Sequence, residues 1–415
     1  MRRGLAWSAA LVSCVALACA LVAATAAPKP EAPGLVTGPG WRATGSPVAD
    51  AAWLSSGSVP GKGTRWEQMT RTALLDLHRL CGRNGSVAAG PAGRWHYAWP
   101  RDMAFVAVAL ARTGHHAEAL QAMTFLQDVQ LGDGGFQARY LLDGSGPPDD
   151  RARQADGAGW ALWAVWQVSR SSAGEPDVGA LAVLRPLLDN ATSFALAATD
   201  DGRRLPRPSP DYWEVPVRRT SLGTAAPLLA GLAASRQMYA DLGERVLAER
   251  SGAAASRLGV VVGEGFADGY ERFGTTSIGL RPGLLRVGGG GRDAAVTFLM
   301  PPFAPSPSPQ VVDAWQRYQA DALRPAGGLA PGSRWKQDGI SWTPETAMVA
   351  YTAAMSGRPE VATRWMDWLD AHRTRWGSLP EKVLADGAPA GPAPLAWTAA
   401  LVVLTAAQLD SSNGP

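Results

Sequence analysis

Two kinds of helical segment alternate along this chain, and nothing else in the sequence constrains its fold as strongly. Trp66, Met69, Ala73, Leu77 and Leu80 recur at steps of three and four, and Val361, Trp365, Trp368 and His372 repeat the pattern with Arg364, Asp367 and Asp370 between them. That spacing puts one apolar stripe on an otherwise wet helix. The stretches 102–111, 155–168, 221–234, 343–356 and 393–409 run instead in Ala, Leu, Val and Trp almost throughout, as a helix buried on all sides should. In order, wet segments near 63–80, 116–131, 178–197, 242–259, 309–323 and 358–373 alternate strictly with dry ones near 101–113, 155–169, 221–236, 291–300, 343–356 and 393–409. A helical hairpin of this kind cannot bury its dry face alone, so the hairpins must close on one another. The expected fold is all-α, an (α/α)6 toroid with six inner helices inside six outer ones, spanning 63–410 as one domain. Short strands are expected near 270–290, and no parallel sheet.

The chain ahead of that domain has a different character. Arg2 and Arg3 precede an apolar run from Gly4 to Ala24, and Ala24-Thr25-Ala26 fits a small-x-small cleavage site, so residues 1–27 read as a signal peptide or, uncleaved, as a membrane anchor. The protein is therefore expected outside the cytoplasm. Residues 28–62, rich in Pro, Gly and Ser, read as an extended arm. Cys14 and Cys19 fall inside the signal, which leaves Cys81 without an internal disulfide partner. The net charge is +3 with no basic run, whereas a nucleic-acid reader needs a positive stripe. No CxxC, HExxH or GxSxG occurs, so neither a metal nor a cofactor is expected, and the chain reads as a monomer.

In a toroid of this kind the loops entering the inner helices all open at one end. The residues just ahead of the dry segments are Trp99-Pro100-Arg101-Asp102, Arg153-Gln154-Ala155-Asp156, Asp211-Tyr212-Trp213-Glu214, Arg292-Asp293, the stretch from Arg334 to Trp342, and Leu379-Pro380-Glu381. Singly, Asp102, Asp156 and Asp293 read as helix caps, and the tryptophans as packing. Six polar entries at one topological position indicate a site. Its chemistry suits a sugar, because indole stacks on the C–H face of a pyranose while Asp and Arg take its hydroxyls. Breaking a glycosidic bond needs one carboxyl that donates a proton and one carboxylate that activates water or attacks. Glu214, next to Trp213, suits the acid in a desolvated setting, and Glu381, in a polar loop at the other edge of the ring, suits the base.

These segments resemble those of glycoside hydrolase family 15, the glucoamylase-like enzymes. Tyr97-Ala98-Trp99-Pro100-Arg101-Asp102 is similar to the family's Tyr-x-Trp-x-Arg-Asp, and Gln154-Ala155-Asp156-Gly157 to its Gln-x-Asp-Gly. Asp211 to Glu214 resembles the segment bearing the family's general acid, Arg334-Trp335 to Trp342 its Arg-Tyr to Pro-Trp stretch, and Gly377 to Glu381 with Pro394 to Trp397 the segment bearing its base. The resemblance implies inverting hydrolysis of an α-glucosidic bond from a non-reducing end, with Glu214 as acid and Glu381 as base. It further implies that Arg101, Asp102 and Arg334 hold the glucosyl unit, with Trp99, Gln154, Asp156, Trp213 and Trp342 completing the carbohydrate site. Val215 stands where many relatives have a second Glu, and Trp95 and Trp335 where many have Tyr. The competing readings are a non-catalytic glycan-binding relative and another helical-barrel glycan enzyme, a phosphorylase or a lyase.

Overall fold

The computed structural model describes residues 34–38, 46–170, 174–274 and 289–412; the expected signal peptide over 1–27 lies outside them. A short helix α1 (Pro47–Ser55) leads into outer α2 (Glu67–Leu80) and inner α3 (Pro100–Arg112). Outer α4 (His116–Asp128) and inner α5 (Asp156–Val168) follow, then a short α6 (Val178–Val183), outer α7 (Arg185–Thr199) and inner α8 (Leu222–Asp241). Outer α9 (Arg245–Gly265) precedes a 3-10 helix, Ala294–Leu299, in the fourth inner place. Outer α10 (Pro309–Asp321), inner α11 (Thr343–Met355), outer α12 (Pro359–Ala371) and inner α13 (Ala396–Ser412) complete the series. Each inner element packs on the next and α13 returns against α3, which closes the ring. The fold is all-α, an (α/α)6 toroid.

The dry sequences explain the closure. Every residue of α3 from Pro100 to Ala111 is buried, as is every residue of α13 from Ala396 to Ala406. Helices so apolar on all sides are stable only when surrounded. α5 and α8 approach closely because glycines face each other: a Cβ on Gly159 would stand 2.2 Å from the Pro227 carbonyl oxygen, and one on Gly231 would stand 2.8 Å from the Gly159 Cα. The middle of the ring is filled by aromatic side chains from several inner elements. Trp160 lies 5.1 Å from Phe105, 4.8 Å from Phe298 and 5.3 Å from Phe303, and Trp397 lies 5.8 Å from Phe105. Among the described residues the toroid is therefore plugged along its axis by these rings.

Three expectations need correction. The segment 291–300 forms a 3-10 helix and not an α-helix: Asp293 accepts the Ala295 N–H at 2.9 Å to start the turn, and Pro301 and Pro302 stop it. The arm is not extended throughout. Its α1 docks through Trp53, stacked 3.8 Å from His115 and 4.3 Å from His78, and through Asp50 paired with Arg79 at 2.5 Å. The strands also lie elsewhere than expected. β1 (Leu35–Val36), β2 (Ser341–Trp342), β3 (Lys382–Val383) and β4 (Pro389–Pro392) form a small sheet in the order β1-β4-β3-β2, and β1 pairs with β4 in parallel. Near 270–290 the described residues make only the isolated bridges Ser221 to Phe273 and Glu271 to Arg292.

Candidate active site

A cavity of about 280 Å³ opens at the N-terminal ends of the inner helices. Trp99, Arg101 and Asp102 reach it from the start of α3, Trp213 and Glu214 from the loop before α8, Trp342 and Glu345 from the start of α11, and Glu381 from the loop before α13. Trp397 and Tyr212 also line it. The loops before α8 and α13 stand three places apart on a ring of six, so Glu214 and Glu381 enter from opposite sides.

Glu214 is held by a strained turn. Its φ is +55°, left-handed backbone that a non-glycine residue adopts at a cost of about 1–3 kcal/mol. Asp211 builds that turn: its side chain accepts the Trp213 N–H at 3.0 Å and its backbone carbonyl the Glu214 N–H at 2.8 Å. Beneath it, the buried Arg272 pairs with Asp211 at 3.2 Å and lies 3.4 Å from the centre of the Trp213 ring. Tyr212 fixes the other side by donating its hydroxyl to Asp293 at 2.5 Å. The Glu214 carboxyl then accepts the Trp99 indole N–H at 2.5 Å and pairs with Arg151, with Arg101 at 3.6 Å and Gln154 at 3.5 Å. Its setting is thus a polar cage. The expected apolar cover by Trp213 is not there, because Trp213 packs on Arg272 and edge-on to Trp335, 4.6 Å away.

Glu381 accepts the Trp95 indole N–H at 3.1 Å and pairs with Lys382 at 2.6 Å. Gly391 backs it: a Cβ there would stand 2.9 Å from the Glu381 Oε2. Arg101 lies between the walls, stacked 4.9 Å from the centre of Trp397, with Asp102 at 3.4 Å and Asp156 at 3.8 Å. Burial raises Asp102 to about 6, with Arg101 opposing the rise and both Glu214 and Glu381 adding to it. Asp102 therefore senses both carboxyls. Neither Asp102 nor Asp156 caps its helix; only Asp293 of the three does.

Three expected residues do not line the cavity, and the first, Gln154, is buried and reaches it only through Glu214, 3.5 Å away. Asp156 sits behind the cavity wall, raised to about 7 by burial, where it accepts the Trp160 indole N–H at 3.2 Å and supports Arg101. Arg334 is exposed on the loop beside Gly291 and does not line the cavity. Other cations line it instead, namely Arg94, Arg139, Arg151 and Lys382.

No family model matches the chain. Over 99 residues, 23% of this chain, it is 30% identical to an uncharacterized glycosyl hydrolase of Methanocaldococcus jannaschii, and the match spans only 16% of that relative. Among solved structures, a glycosidase variant in complex with glucose superposes with a TM-score of 0.68 at 22% identity, covering 82% of this chain and 96% of its own. A bacterial glucoamylase complexed with acarbose gives 0.69 at 15% identity over 86% of this chain and 57% of that one. Glucoamylase from Saccharomycopsis fibuligera gives 0.63 at 14% identity, over 84% and 95%. The fold is glucoamylase-like.

Within this glucoamylase-like ring, Glu345 is the carboxyl that sequence reasoning missed. It stands in the first turn of α11, where an acidic residue is an ordinary partner of the helix dipole, and so gave no signal. Yet it lines the cavity, is 4% exposed, and its Oε2 makes no hydrogen bond among the described residues. Burial pushes it up to about 8, with Glu381 adding to the rise, so it is neutral at pH 7. Between the ordinary carboxylate range and pH 8 the folded chain keeps this proton while the unfolded chain loses it. Stability therefore falls as pH rises through that window, by about 1.4 kcal/mol per unit for one such group. Glu345→Gln, neutral at every pH, should flatten the fall. Denaturant titrations from pH 5 to 8 check this, and equal slopes for variant and wild type would contradict it.

Proposed function

We propose that the protein is a glycoside hydrolase that removes glucose from the non-reducing end of an α-glucoside with inversion. The observation that carries this reading is the pairing of Glu214 and Glu381 across one cavity whose floor is closed by the aromatic plug. A blind pocket admits a chain end rather than a chain middle. The neighbours solved with glucose and with acarbose support the same substrate class.

In this reading the terminal glucosyl ring lies over Trp397, with Arg101 and Asp102 on its hydroxyls. Glu214 gives its proton to the glycosidic oxygen as the bond from that oxygen to the anomeric carbon breaks. Glu381 takes a proton from a water that attacks the same carbon from the opposite face. Glu214 ends deprotonated and Glu381 protonated, and exchange with solvent resets both. An inverting pair leaves room for that water when the carboxyls stand roughly 6.5–9.5 Å apart. The reading includes export, with cleavage after Ala26, which N-terminal mass spectrometry of the mature protein would show as a start at Ala27.

The test is a panel of α-linked glucosides with the released sugar followed by proton NMR. The β-anomer of glucose should appear first. Release of the α-anomer would exclude inversion, and tight glycan binding with no release would favour a non-catalytic role.

A further inference from the structure

The wall beside Glu214 carries more positive charge than it can neutralise. Arg94, Arg139 and Arg151 all line the cavity and form one connected group. Arg139 donates to the Arg94 carbonyl at 2.8 Å, and Arg139 and Arg151 share a single carboxylate, Asp149, which Arg151 reaches at 3.2 Å. The hydrogen bond from Arg139 holds Asp149 below the usual carboxylate range, so it is ionised and taken. Arg139 is itself buried, its guanidinium 4.5 Å from the Tyr97 ring centre and 5.1 Å from that of Trp99. Arg94 is exposed and has no carboxylate partner among the described residues. Two guanidinium groups thus share Asp149, one of them, Arg151, also holds Glu214, and Arg94 adds a third positive charge to the cavity lining with no acid of its own.

A general acid is a poor permanent partner for an arginine, since the pair favours the charged carboxylate and the reaction needs the protonated one. The Arg151 site must be filled by something else when Glu214 works. Because Glu214 faces the leaving oxygen in the hydrolase reading on which this inference rests, that filler belongs to the leaving group. We propose that the leaving group of the natural substrate carries a carboxylate or phosphate, which binds Arg151 with Arg94 and Arg139 behind it and displaces Glu214 from its ion pair. The guanidinium fork suits both anions, and a charge in the aglycone then decides which α-glucosides are accepted.

The experiment compares matched α-glucosides of every common linkage that differ only in the aglycone: the neutral alditol, the aldonate with its carboxylate, and the alditol phosphorylated at its far end. Affinity is measured by calorimetry and turnover by glucose release, both at low salt. An anionic member should bind and react at least about ten-fold better than its alditol, with the advantage shrinking as salt is added. Whether the aldonate or the phosphate shows the larger advantage distinguishes the two anions. Arg94→Gln and Arg151→Gln should each reduce that ratio, and Arg94, being exposed, can be changed without threatening the fold. Equal or poorer binding of both anionic members in every series overturns the proposal, as does a ratio that neither variant changes. Preferred binding without glucose release from any member would uphold the anion site and refute the hydrolase reading; hydrolysis without preference would do the reverse.

Discussion

Glu214→Gln should lower turnover on an α-glucoside by roughly 10²–10⁴-fold while leaving α-glucosyl fluoride a good substrate. The substitution keeps the side chain's shape and its contacts with Trp99 and Gln154 but removes the transferable proton. Fluoride leaves without protonation, so the variant should recover much of its rate there. Glu381→Gln should fall at least as far and should not recover with fluoride, because its defect lies in activating water. Added azide, a nucleophile that needs no base, should restore part of that activity and yield a glucosyl azide of inverted configuration. The two variants therefore separate the roles by substrate and not merely by loss. Steady-state kinetics on a natural glucoside and on the fluoride, with and without azide, check both. Rescue of Glu381→Gln by fluoride, or wild-type turnover in either variant, would reverse the assignment.

That such a test can be designed from sequence reflects what periodicity reports. The dry runs behind α3, α5, α8, α11 and α13 are legible because a helix surrounded by helices has no face left for polar residues, and a strict alternation of dry and wet leaves few ways to close. Closure then puts every loop that enters an inner helix at one end, which is why Trp99, Arg101, Asp102, Trp213, Glu214, Trp342 and Glu381 surround one cavity. The same pattern is silent about side chains that arrive from long connections. Arg139 and Arg151 come from the stretch between α4 and α5, where no period shows that the chain folds back over the mouth. Asp156 and Arg334 show the converse limit. Both stand at helix entries, yet one points behind the wall to support Arg101 and the other stays exposed. Topology places a residue at the mouth, but only packing decides whether its side chain faces the cavity.

Packing beneath Glu214 leads to the largest stability effect expected in this protein. Arg272 and Asp211 form an ion pair whose side chains are 4% and 0% exposed, and Trp213 lies against the same guanidinium. A buried pair adds little over an apolar replacement of both partners, whereas removing one partner leaves a buried charge uncompensated and costs roughly 3–5 kcal/mol. Arg272→Leu should therefore shift the denaturant midpoint by an amount in that range. Adding Asp211→Asn should recover part of the loss, since it removes the stranded charge and keeps an oxygen for the Trp213 N–H. Activity should not recover with stability. The turn that holds Glu214 at a φ of +55° is strained, and losing Arg272 from beneath Trp213 removes one of the contacts that offset that strain, so the carboxyl should leave the cage formed by Trp99 and Arg101. The double variant is then expected to be a folded protein with low turnover. A single variant with an unchanged midpoint, or a double variant that regains wild-type turnover, would show that the pair does not position the acid.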